Sequence, residues 1–148
     1  MFGVATAHGG AVAQVRLASS INPAPTTSTT FVNVPSATAT ITVPHGTRAL
    51  IVAHFSATSE CTDSVNTTGA YSCMLRILIG GVEANPTDTN AQIFDSSAQD
   101  GREAHAVERF RGPLGPGTYN VVVQFKVPAA TNTFWLDSWT LEVDRIKA

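Results

Sequence analysis

From residue 31 to residue 143 the chain is a succession of short apolar or alternating runs, each closed by Gly, Pro, Asn or Asp. No stretch between them keeps the 3.6-residue apolar period of a helix. Strands pack in that rhythm, because a period of two puts one face on a core and the next turn reverses the chain. The pattern predicts an all-β protein: an antiparallel β-sandwich of jelly-roll topology.

Length and composition limit what such a sandwich can be. A chain of 148 residues suits one domain, which buries roughly 70% of the surface its unfolded form exposes and so needs neither metals nor many disulfides. Charged residues make up 14% of it, well under the usual ~25%. Ser, Thr, Ala and Val take their place and give a hydroxyl-rich surface. A formal net charge of −2 offers no long-range attraction to nucleic acid or to an anionic membrane. No run approaches the ~18 continuous apolar residues that would span a bilayer, and the opening MFGVATAHGGAVAQVR lacks the basic start of a signal peptide. No nucleic-acid partner, membrane partner or export signal is expected.

Residues 1–30 read as an arm and linker, and residues 31–148 as the sandwich domain. Residues 1–10 are small and apolar and have no core of their own. Residues 11–18 form a candidate strand, in which Val12, Val15 and Leu17 could pair with another chain. SSINPAPTTSTT, at 19–30, favours an extended linker over a packed element. Within the sandwich, Pro35 is expected to stop a first short strand, and Ala39, Ile41 and Val43 to face inward from the next. Residues 49–55 are apolar on both parities, as in a central strand covered on both sides. Cys73, Leu75, Ile77 and Ile79 alternate inward, and Gly80-Gly81 marks a two-residue hairpin. Residues 93–94 suggest a short edge element. Residues 103–110 are read as strand in preference to a short helix. Tyr119, Val121, Val123, Phe125 and Val127 give the clearest alternation, and residues 134–143 the last long strand.

Cys61 and Cys73 flank a polar insert between two expected core strands, an arrangement that favours a loop-closing disulfide over two free thiols. No nearby His or second Cys pair completes a tetrahedral metal set. Asn66-Thr67-Thr68 matches a glycosylation sequon, a short match frequent by chance.

Candidate chemistry is sparse. His45 sits in a Pro-His-Gly turn and reads as solvated. His54 lies in the most apolar strand and reads as a satisfied core or inter-subunit histidine, and less readily as a general base. His105, between Glu103 and Glu108, could join an acid–base pair or a metal set, but a polar strand face explains it with less. GxSxG, HExxH, P-loop and GxGxxG motifs do not occur. No catalytic residue, cofactor or metal is assigned, and the chain reads as non-enzymatic. Trp135 and Trp139, four apart on one strand, should share a face with Asp137, Leu141 and Val143. They could form a glycan-binding platform, but core packing or a subunit interface is favoured.

The segments STTFVNVPSATATITVPHGTRALIVAHFSATSEC, CMLRILIGGVEANP, GPGTYNVVVQFKV and FWLDSWTLEVDR resemble a group of short jelly-roll proteins of actinobacteria and their phages, over about residues 28–147. The resemblance implies a jelly roll of the kind that trimerises in viral decoration, fibre and tumour-necrosis-factor-like proteins. It carries no functional residue, since the group has no active-site motif to match. The short N-terminal arm is a departure that argues against a secreted role. The expected function is a virion structural protein, a capsid decoration or head-surface subunit. It would form a homotrimer and anchor to a major capsid protein through its arm at the virion surface, after assembly in the host cytoplasm. A carbohydrate-binding module or other extracellular interaction domain is the alternative. A hydrolase would need clustered acids or histidines that the linear sequence does not place together.

Overall fold

The computed structural model describes residues 11–64, 71–96 and 101–148. The sequon at Asn66 and the first ten residues lie outside them. Among the described residues ten strands run β1 (Val12–Ser20), β2 (Ala24–Thr26), β3 (Val32–Val43), β4 (Ala49–Asp63), β5 (Ser72–Ile79), β6 (Val82–Glu83), β7 (Ile93–Ser96), β8 (Glu103–Leu114), β9 (Gly117–Lys126) and β10 (Asn132–Lys147). No helix among the described residues is long and apolar enough to cross a membrane.

The strands form two antiparallel sheets. One has the order β1-β10-β4-β8, with β2 also on β10; the other has the order β3-β9-β5-β6, with β7 on β5. Successive long strands therefore alternate between sheets, and the last strand returns beside the first. This is the jelly-roll arrangement that the punctuated sequence predicts. Inward-facing Ile41, Leu75, Ile77, Val121, Val123 and Phe125 of one sheet meet Ile51, Phe55, Phe134, Leu136, Leu141 and Val143 of the other. A chain of aromatic contacts crosses this core, Trp139 to Phe55 to Phe94 to Phe134 to Phe125, with ring centroids 5.8–6.1 Å apart. Such spacing favours tilted and offset pairs. Gly80 and Gly81, at φ +61° and +77°, make the two-residue turn from β5 to β6, which residues with a Cβ rarely allow.

Cys61 and Cys73 are bonded, with Cα atoms 5.9 Å apart. Both are buried. Because β4 and β5 belong to different sheets, the bridge ties the two layers together through the core as well as closing a loop.

The structure corrects the reading of residues 1–30. Residues 12–20 are not a detached arm: β1 pairs with β10 from Val12↔Ile146 to Ser20↔Trp139 and is the first strand of the jelly roll. Nor is 19–30 an unpacked linker. Ala24–Thr26 pairs with Phe134–Leu136, Ala24 is buried, and the Val127 amide donates to the Ser28 carbonyl at 2.8 Å. Proline is compatible with this role because an edge strand needs its donors on one side only. What composition could not register is the 16-residue β10, whose open flank β1 and β2 cover in succession.

Two bulges account for further differences. Pro35 does not end a strand; β3 runs through it, with a register shift between Asn33 and Thr38 and Ser36 at φ +64°. In β10 the register shifts between Asp137 and Thr140, with Ser138 at φ +47°. An extra residue reverses the face assignments beyond it. Trp135 and Trp139 therefore do not share a face. Trp139 is 1% exposed in the core, whereas Trp135 points outward with the Arg102 guanidinium 3.7 Å over its ring.

Candidate functional site

Cross-strand register defines the outer face of the β1-β10-β4-β8 sheet. One row is Leu17, Glu142, His54 and Glu108; the next is Val15, Asp144, Val52 and Phe110. These positions alternate with the inward Leu141, Val143, Ala53 and Phe55, so they point away from the core. The β1 edge of this face is apolar although turned to water, with Leu17 68%, Val12 52% and Val15 45% exposed, and on the β8 edge Phe110 is 42% exposed. The opposite sheet contrasts with it. There the outer row Thr38, Thr40 and Thr42 faces Val122, Asn120 and Thr118, joined by hydroxyl and amide contacts.

A histidine and three carboxylates lie on the same face. His54 Nδ1 is 3.2 Å from Glu108 Oε2, and Nε2 is 3.8 Å from Asp144 Oδ2. Glu142 lies directly across the ladder from His54. The reading of His54 as a core histidine is corrected: its side chain is 43% exposed, because it points to the outer face of β4, where Val52 is buried but His54 is only partly covered. His54, Glu108 and Glu142 line a cleft of about 390 Å³ with Ser56 and Thr140.

Glu103, His105 and Glu108 do not form one set. His105 and Glu108 are of opposite parity in β8, so Glu108 joins His54 while His105 turns to Ser59 and Asp95. Fully buried Ser59 has its Oγ 2.5 Å from Asp95 Oδ2 and 2.9 Å from His105 Nδ1. Its hydroxyl proton goes to the carboxylate, so His105 Nδ1–H donates to Ser59 Oγ. Nε2 faces Glu103 Oε2 at 3.6 Å. In this geometry the imidazole cannot take the serine proton, and a sealed hydroxyl cannot reach a substrate. The trio is a satisfied buried polar network. Arg109, also on β8, donates to the Ala91 carbonyl. Partial burial lowers its pKa, with Glu83 and Asp88 acting in the opposite direction. His45 is exposed in its turn.

A second, open cleft of about 560 Å³ adjoins the first at Thr140. It lies where β1 gives way to β2 opposite the bulge of β10, and is lined by Ser19, Ser20, Asn22, Ser138 and Ile21 around Trp139. Sequence reasoning missed both clefts, because their residues come from strands that only the pairing brings together.

No known protein family matches the chain, and no curated protein does. Among solved structures it is similar to a β-glucosidase from Paenibacillus barengoltzii (TM-score 0.36, 14% identity, 76% of this chain against 10% of that one). It is also similar to carbohydrate-binding module CBM36 in complex with calcium and xylotriose (0.36, 8%, 88% against 98%), and to dimeric latent PorU from Porphyromonas gingivalis (0.40, 10%, 98% against 14%). The chain thus spans a small part of two of the three. Likeness at this level assigns no function.

Proposed function

We propose that this protein is a non-enzymatic structural subunit that self-associates, as a homotrimer, through the outer face of its β1-β10-β4-β8 sheet and adds to a protein shell of the virion-decoration kind. The observation that carries the reading is the exposed apolar stripe Val12, Val15 and Leu17 along β1, with Phe110 exposed on β8 at the other edge of the same sheet face. Soluble monomers scatter such side chains singly; a contiguous patch marks a contact surface. The anchoring role expected of a free arm passes to this face, since Val12, Val15 and Leu17 are held in the sheet by β10. The hydroxyl-rich opposite face and the buried inter-sheet disulfide suit a part that persists outside a cell. Hydrogen exchange at low and high protein concentration tests the reading. Protection of β1 and β8 that grows with concentration supports it, and exchange independent of concentration contradicts it.

A glycan-binding module is the second reading. It rests on the hydroxyl- and amide-lined cleft beside Ile21 and Trp139, a mixture of polar and apolar groups that suits a sugar. Binding on a glycan array that is lost in Asn22→Ala would favour it.

A further inference from the structure

We propose that His54, Glu142 and Asp144 form a binding site for a divalent transition-metal ion of the Zn2+ or Mn2+ class, with Glu108 orienting the histidine. Each of the three residues offers one ligand atom, and these atoms all lie within 4.8 Å of one another. The register of β4 and β10 enforces the grouping: Glu142 stands opposite His54, and Asp144 is the next residue on the same face. One imidazole nitrogen with two carboxylates is a donor set for such ions, harder than a thiolate site and softer than an all-oxygen one.

Two further observations point to a cation. Asp144 Oδ1 is sealed from solvent and has no hydrogen-bond partner among the described residues. A buried carboxylate oxygen left without a donor is costly; Oδ2 of the same carboxylate faces His54, and a cation held by both oxygens would satisfy it. The second is the placement of Glu108. Its carboxylate lies 3.2 Å from Nδ1 and anchors the ring through that nitrogen, with Nε2 turned toward Asp144 Oδ2. Metal-bound histidines are oriented by such a carboxylate. Among the described residues, His54 is the only basic group within ion-pair distance of Glu108 and Asp144. The cleft beside His54, Glu108 and Glu142 leaves room for water or a ligand oxygen to complete the coordination.

The test is calorimetric titration of the chelator-treated full chain with ZnCl2 and with MnCl2 at pH 7.5, with Mn2+ paramagnetic resonance as a second readout. One equivalent of at least one ion should bind. His54→Gln and Asp144→Asn should each remove saturable binding, with circular dichroism showing the fold intact. Glu108→Gln should keep the stoichiometry and weaken binding roughly 10–100-fold, the usual effect of losing a carboxylate that orients a ligand histidine. His105→Gln, at the other histidine–carboxylate group, should bind as the native chain does. The proposal is overturned by absence of saturable binding of either ion, by binding that survives both His54→Gln and Asp144→Asn, or by loss of binding in His105→Gln.

Discussion

Replacing each tryptophan by alanine separates a regular strand from the bulged one described above. Trp139 is 1% exposed and lies 6.1 Å from the Phe55 ring. A tryptophan buries about 200 Å², which at about 25 cal/mol per Å² gives about 5 kcal/mol as an upper estimate. Measured Trp→Ala core replacements cost about 3–5 kcal/mol, so Trp139→Ala should fall there. Trp135 is half-buried and outward, and its specific contact is the stack under Arg102, a cation–π contact of about 0.5–1 kcal/mol at an exposed site. Trp135→Ala should therefore cost no more than about 1.5 kcal/mol, allowing for the partial burial. Urea unfolding of both variants, with the disulfide oxidised, measures the difference. Iodide should quench Trp135 in the Trp139→Ala protein but leave Trp139 in the Trp135→Ala protein nearly untouched. Equal costs, or equal quenching, would refute the face reversal at Ser138.

Three other outcomes follow from the packing. Reducing the Cys61–Cys73 bridge, which joins residues 12 apart, should lower stability by about 3 kcal/mol on the chain-entropy account; denaturation with and without reductant checks it. Ser59→Ala withdraws the donor from buried Asp95 and should cost about 1–3 kcal/mol, read from the urea midpoint. Deleting residues 1–20 should expose the β10 flank and unfold or aggregate the chain in thermal melts, whereas a truncated protein that melts like the native one would restore the arm reading.

The sandwich was legible because its rules are local. Ile41, Val121, Val123, Phe125 and Ile77 fall inward on a strict period of two, and Gly80-Gly81 names its own turn. The disulfide was legible from flanking position, although its role between the sheets was not. Positions that obey non-local rules were misread. A bulge adds one residue without a compositional mark, so Trp135 and Trp139 looked coplanar, and Pro23 and Pro25 looked like linker because β10 had yet to offer an edge. The candidate site was not legible at all. His54, Glu108, Glu142 and Asp144 are up to 90 positions apart and meet only through the β8-β4-β10 ladder, while Glu103, His105 and Glu108, adjacent in sequence, divide between two faces.

The central claim is that the exposed apolar sheet face is a self-association surface, and solution mass by light scattering measures it most directly. The native chain should show three times its 15.5 kDa mass, and Leu17→Asp, which places charge on the face without touching the core, should return it to the mass of one chain. A native protein that stays at 15.5 kDa at high concentration, or an oligomer indifferent to Leu17→Asp, would contradict the account.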